Sequence, residues 1–148
     1  MRVMIINGPN LNLLGQREPD IYGSESFDKI MEALQGHFAT ITIDFFQSNI
    51  EGELIDRLQE ADGKYDGIIL NAGAYTHTSV ALGDTIRAIN TAVIEVHLSN
   101  VFAREEFRHN SFIAPYCIGS ISGFGPEGYR LALEALKNKS ENRFFPRI

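Results

Sequence analysis

Residues 2–7 (RVMIIN) form a short apolar run halted by Gly8-Pro9, the pattern of a strand buried on both faces. A polar, glycine-bounded loop follows. Ser24 or Ser26 then stands where it can cap a helix whose apolar stripe is Phe27, Ile30, Met31 and Leu34. Residues 40–46 alternate, with Ile41, Ile43 and Phe45 on one side, which predicts a half-covered strand near a sheet edge. Ser48-Asn-Ile-Glu51 has the form of a capping box and opens a helix carrying Ile50, Leu54, Ile55 and Leu58. Residues 67–71 (GIILN) predict a further buried strand, 79–90 a helix and 92–98 a fourth strand. A short helix near 103–109 precedes a fifth strand around 116–121, with Cys117 inside it as a core residue. Pro126 starts a last helix bearing Tyr129, Leu131, Leu133 and Leu136, and the tail from about Lys137 is polar and expected to fray.

Five strands alternating with helices predict a parallel sheet with right-handed crossovers and helices on both faces. The expected architecture is an α/β, flavodoxin-like three-layer sandwich with strand order 2-1-3-4-5. In such sheets ligands bind beyond the carboxyl ends of the strands, at the point where the strand order reverses.

Composition limits the possibilities without choosing among them. The chain has 148 residues, 44% hydrophobic and 22% charged, which fits one ordinary globular domain. A net charge of −6 argues against nucleic acid as the main partner, because phosphate binding needs clustered Lys and Arg. An anionic small molecule stays possible if the few arginines converge. Cys117 is the only cysteine, so there is no disulfide framework within the chain and a reducing cytoplasm fits. No apolar run reaches the length of a membrane span, and the first residues do not read as a signal peptide.

The predicted strand ends collect the chemistry. Strand 1 runs into Asn7-Gly-Pro-Asn10-Leu-Asn12 and then into a loop, about 15–24, that carries Arg17 and Tyr22. A tyrosine is a useful base only as its phenolate, which at an ordinary pKa of about 10 costs about 4 kcal/mol near neutrality. A fixed guanidinium lowers that cost, and flanking glycines would let the segment close as a lid. Taken alone, the loop reads more readily as a surface segment with an exposed Tyr and Arg. Strand 3 ends at Asn71-Ala-Gly-Ala-Tyr-Thr-His77-Thr-Ser79, and strand 4 at Glu95-Val-His97-Leu98-Ser99-Asn100, with Arg104 and Arg108 just beyond.

Other chemistries fit this edge poorly. A phosphorylated receiver domain needs acidic residues after strand 1 and an Asp ending strand 3, where this chain has Asn7 and Asn71. A flavin module needs a hydroxyl- and glycine-rich phosphate loop, and Pro9 removes a donor from the one available. No G-x-S-x-G elbow appears, and no short ligand spacing links His77, His97 and Glu95 as a metal site. The individual residues also have plain structural readings. His97 suits a core histidine and His77 a helix cap. Asn10, Asn12 and Asn71 suit turns, and Asp84 suits a solvated helix position or a contact across a subunit interface.

Five blocks together resemble the type II 3-dehydroquinate dehydratases (type II dehydroquinases). They are Ile6-Asn-Gly-Pro-Asn-Leu-Asn12, Arg17-Glu-Pro19 with Tyr22-Gly23, Asn71-Ala-Gly-Ala-Tyr-Thr-His-Thr-Ser79, Glu95-Val-His-Leu-Ser-Asn100, and Arg104-Glu-Glu-Phe-Arg108. The resemblance implies trans-dehydration of 3-dehydroquinate to 3-dehydroshikimate through an enolate, without cofactor, metal or Schiff base, in the shikimate or quinate pathway. It implies Tyr22 as base, Arg17 as the cation holding it ionised, His97 as general acid, Glu95 as its orienting partner and Asn10 as the holder of a water. It implies substrate contacts at Asn71, His77, Asp84, Leu98, Ser99 and Arg108, and a dodecamer built from trimers. The residue chemistry agrees, since elimination beside a carbonyl needs a strong base, an acid for the leaving group and stabilised enolate charge. Lys29, Lys64, Lys137 and Lys139 all lie away from the predicted strand ends, so an imine route has no lysine placed for it. The rival class is a non-catalytic binding or assembly module of the same fold, in which Tyr22→Phe would change nothing measurable.

Overall fold

A computed structural model describes residues 1–16, 18–22 and 25–141, with Pro19 and Tyr22 described in backbone only. Arg17 and the side chain of Tyr22 therefore lie outside the described residues. The elements begin with β1 (Arg2–Asn7), a single helical turn α1 (Pro19–Tyr22), α2 (Phe27–His37), β2 (Thr42–Gln47) and α3 (Glu51–Ala61). They continue through β3 (Gly67–Asn71), α4 (Val80–Ala88), β4 (Val93–His97), β5 (Gly119–Ser122) and α5 (Glu127–Ser140). The five strands form one parallel sheet of order β2-β1-β3-β4-β5, as the alternation of strands and helices predicts.

Alternate residues of the central strands divide the core into two layers, because successive side chains of a strand point to opposite faces. Val3, Ile5, Ile69, Ile94 and Val96 pack with the stripes of α2 and α5, including Phe27, Ile30, Leu34, Tyr129, Leu133 and Leu136. Met4, Ile6, Ile68, Leu70 and Val93 pack on the other side with Leu54 and Leu58 of α3 and Leu82 and Ile86 of α4. β1, β3 and β4 are thus covered on both faces. β2 lies at an edge, where Ile43 is buried and Phe45 is exposed, its ring tilted 32° to that of Phe27 with centroids 4.3 Å apart.

Several local expectations are corrected. Ser48 does not cap α3; Ile50 occupies that position, and the Ser48 hydroxyl instead accepts from Ile50 N–H and donates to Glu53. Ile50 itself is exposed rather than part of the buried stripe. Ser26 stands at the N-cap of α2 without a side-chain cap bond, whereas Ser79 caps α4 by accepting from Leu82 N–H at 2.9 Å. The helix expected near 103–109 is two 3-10 turns, Val101–Ala103 and Glu106–His109. The fifth strand starts later than expected, so Cys117 precedes it, half-buried against the α3/α4 layer. α5 runs on through Lys137 to Ser140, where the chain was expected to fray.

The strand ends are drawn close together. Asn7 of β1 pairs in register with Asn71 of β3 and Gln47 of β2. Gly8 N–H then donates to the Asn71 carbonyl at 2.7 Å. A Cβ on Gly8 would lie 2.5 Å from the Ala72 carbonyl oxygen, so only glycine permits this approach.

Candidate active site

A cleft of about 130 Å3 opens at the carboxyl ends of β1, β3 and β4. Asn10, Asn71, His77, His97, Leu98, Ser99 and Arg108, all singled out from sequence, line it together. Glu95 lies just beneath, 1% exposed, bonded to His97. Asp84 does not join them; it is exposed on α4, away from this chain's cleft. Arg17 and the Tyr22 side chain, outside the described residues, are not located relative to the cleft, although the backbone of Tyr22 ends the helical turn α1.

The floor is a polar network under an apolar sheet. Tyr129 is fully buried, and its hydroxyl donates to Asn7 Oδ1 at 2.8 Å while accepting from Asn71 Nδ2 at 3.0 Å. Asn71 Oδ1 accepts in turn from Gly73 N–H at 3.3 Å. Burial raises the Tyr129 phenol above its ordinary pKa, against the two amide hydrogen bonds, so this tyrosine is a neutral strut and not a base.

The loop after β1 forms one wall. Asn10 adopts a left-handed conformation (φ 69°), which asparagine tolerates better than most residues. Its N–H donates to Asn49 Oδ1 at 2.9 Å, and Gln47 Nε2 donates to both Asn49 Oδ1 and the Gly8 carbonyl. The end of β2 therefore clamps the Asn10 turn. Leu11 and Leu14 contribute apolar surface to the same wall.

The opposite wall carries charge. His97 Nε2 lies 2.6 Å from Glu95 Oε1, and Ser111 Oγ donates to the same oxygen at 2.9 Å. His77 stacks over His97 with ring centroids 6.1 Å apart, and its Nδ1 donates to the Asn110 carbonyl at 2.8 Å. Desolvation holds the His77 pKa below the ordinary histidine value; nearby His97 and Arg108 push the same way, against the Asn110 carbonyl and Glu95. His77 is therefore neutral near pH 7 and lines the cleft instead of capping α4. Arg104 Nη1 donates to Ser99 Oγ at 3.0 Å and Arg108 Nε to Glu105 Oε2 at 2.6 Å. Both arginines line the cleft, and Glu105 Oε2 pairs with each, 3.9 Å from Arg104 Nε and 2.6 Å from Arg108 Nε. The glycine turn braces this wall, because Gly123 N–H donates to the His97 carbonyl and Gly125 N–H to that of Leu98.

Sequence reasoning missed two contributors. Tyr129 sits on a regular helical stripe and reads as packing, and only its pairing with Asn7 and Asn71 shows its second role. Ser111 lies in a loop without periodicity. None of the four lysines lines the cleft. Among the described residues no three His, Cys, Asp or Glu side chains converge as metal ligands would, and no helix is long and apolar enough to cross a membrane.

Such a pocket suits an anionic, oxygen-rich small molecule: cations and amides to grip it, and a carboxylate-backed imidazole to exchange a proton. Comparison with known proteins points the same way. The family model for dehydroquinase class II matches residues 1–137. The 3-dehydroquinate dehydratase of Campylobacter lari is 55% identical over 138 residues, spanning 92% of this chain and 86% of that protein. That of Rhizobium etli is 59% identical over 139 residues, spanning 92% and 95%. The crystal structure of a type II dehydroquinase from Butyrivibrio crossotus matches with a TM-score of 0.89 at 45% identity, covering 93% of this chain and 97% of that one. Since the matched residues take in all five strands and every wall of the cleft, the chain belongs to the class II dehydroquinase family.

Proposed function

We propose that this protein is a 3-dehydroquinate dehydratase, a hydro-lyase that forms 3-dehydroshikimate by trans elimination of water through an enolate. The observation that carries the reading is the Glu95–His97 pair, buried at the end of β4 and opening onto a cleft with two arginines and no lysine. A cleft without a lysine has no amine to form an imine with the ketone, so the α-proton must be removed from the free ketone.

In this mechanism Tyr22, as phenolate beside Arg17, takes the proton alpha to the carbonyl. Charge develops on the carbonyl oxygen, where a water held by Asn10 donates a hydrogen bond. His97 then protonates the departing hydroxyl, with Glu95 orienting the imidazole. Arg108 and the backbone at Leu98 and Ser99 hold the carboxylate and ring hydroxyls, with Asn71 and His77 as further hydrogen-bonding partners. The segment about 15–24 closes over the bound substrate as a lid and brings Tyr22 into place.

The protein serves the shikimate or quinate pathway in the cytoplasm as a dodecamer of trimers. Exposed Phe102, Phe107 and Phe124 support burial of apolar surface between copies. Asp84, remote from its own cleft, acts at a subunit interface in that assembly.

The test is an ultraviolet assay with 3-dehydroquinate and no additions. Wild type should generate the enone chromophore, borohydride plus substrate should not inactivate it, and His97→Ala should lower kcat by about 10²–10⁴. Full turnover by Tyr22→Phe would remove the base assignment, and no chromophore from wild type would leave a non-catalytic module of the same fold.

A further inference from the structure

The two cleft imidazoles are both controlled by one dipeptide, Asn110 and Ser111, in the loop before β5. His77 Nδ1 meets the Asn110 carbonyl at 2.8 Å. A carbonyl oxygen can only accept, so neutral His77 carries its hydrogen on Nδ1 and leaves Nε2 bare.

At His97 the same logic runs through two groups. Ser111 Oγ accepts the backbone N–H of Ile113 at 3.3 Å and of Ala114 at 3.0 Å. Those bonds occupy both lone pairs of the hydroxyl, so its single hydrogen is directed to Glu95 Oε1 at 2.9 Å. Oε1 is thereby an acceptor. A hydrogen on Oε1 would collide with the one Ser111 supplies, so His97 Nε2, 2.6 Å away, must be the donor. Glu95 Oε2 is buried without a partner, so no second bond competes to rotate the carboxyl group.

We infer that Asn110 and Ser111 impose opposite tautomers on the stacked rings, with the hydrogen on Nδ1 of His77 and on Nε2 of His97. Nδ1 of His97 is then the nitrogen that gains and gives up the transferable proton. Ser111 is a positioning residue for the acid, acting through Glu95 and touching no substrate. Its hydroxyl replaces a choice between two ring nitrogens with one, so that every His97 in the population presents the same atom to the leaving group. This deepens the acid role proposed for His97, and its kinetic consequence rests on that role.

Neutron diffraction from deuterium-exchanged crystals of the whole wild-type chain, at a pD where both rings are neutral, reads the tautomers directly. Deuterium is expected on His77 Nδ1 and His97 Nε2, with the Ser111 deuteron aimed at Glu95. A bare Nε2 on His97, or a bare Nδ1 on His77, overturns the assignment. In the dehydration assay Ser111→Ala should lower kcat about tenfold with KM within about twofold, and Ser111→Thr, which restores a hydroxyl, should recover most of the loss. An unchanged kcat in Ser111→Ala, or a Ser111→Thr protein that folds and remains as slow as the alanine variant, overturns the positioning role. Absence of dehydration by wild type would instead remove the proposed function and leave the neutron result to stand or fall by itself.

Discussion

The Tyr129 hydroxyl links Asn7 to Asn71, the last residues of two adjacent central strands, from a position with no solvent exposure. Removing it leaves one amide oxygen and one amide nitrogen unpartnered where water cannot reach them. Tyr129→Phe keeps the ring that packs edge-on to Phe27, so the change isolates the hydroxyl. We expect a loss of about 1–3 kcal/mol in urea unfolding. KM should rise as well, because Asn71 loses the acceptor that orients its amide.

The lowered pKa of His77 makes folding sensitive to acid. Its folded value lies below the unfolded value of about 6.5, so between the two the unfolded chain binds more protons. This contribution to stability is fully present above about pH 6.5 and is lost as pH falls toward the folded value. Urea midpoints measured from pH 8 to 5 should fall more steeply for wild type than for His77→Asn. Parallel curves would show that His77 ionises alike in both states.

Cys117 should be a silent thiol in the folded protein. Desolvation first, and the nearby Glu95 charge second, push its pKa up to about 12. Against an ordinary thiol near 8.5, that lowers the thiolate fraction at pH 8 by roughly three orders of magnitude. A disulfide reagent should label the native protein far more slowly than the urea-unfolded chain. Equal rates would place the thiol in water.

Two glycines should respond in opposite directions to the same substitution. A Cβ at Gly8 would lie 2.5 Å from the Ala72 oxygen and 2.7 Å from its carbon, both backbone atoms that cannot turn aside. Gly8→Ala should cost about 1–3 kcal/mol and distort the cleft. At Gly36, on α2, a Cβ meets nothing within 4 Å, and Gly36→Ala should stabilise by about 0.4–1 kcal/mol. Thermal melts of the pair, against wild type, give both signs in one experiment.

Continuous apolar runs made β1 and β3 legible to the residue, because a strand buried on both faces tolerates no polar interruption. The strand order followed from topology, and from it the edge on which Asn10, Asn71, His77, His97 and Arg108 meet. Local detail was harder to read wherever two backbone solutions use the same residues. Ser48 satisfies its hydroxyl one step outside α3, through Ile50 and Glu53, in a pattern that mimics a capping box. β5, exposed along one edge, lacks the alternation that would have fixed its start. Asp84 marks a limit of another kind: it stands exposed on α4, away from the cleft that gathers the other residues named for the substrate.

β1 lies between β2 and β3, although it is the earliest strand in the chain. During synthesis it can first acquire only the neighbour formed by Thr42–Gln47. Its other flank remains open until Gly67–Asn71 has left the ribosome. The floor of the cleft needs Asn7, Asn71 and Tyr129 together, so it closes only after α5 has emerged, and a nascent chain stalled before that helix has no competent pocket.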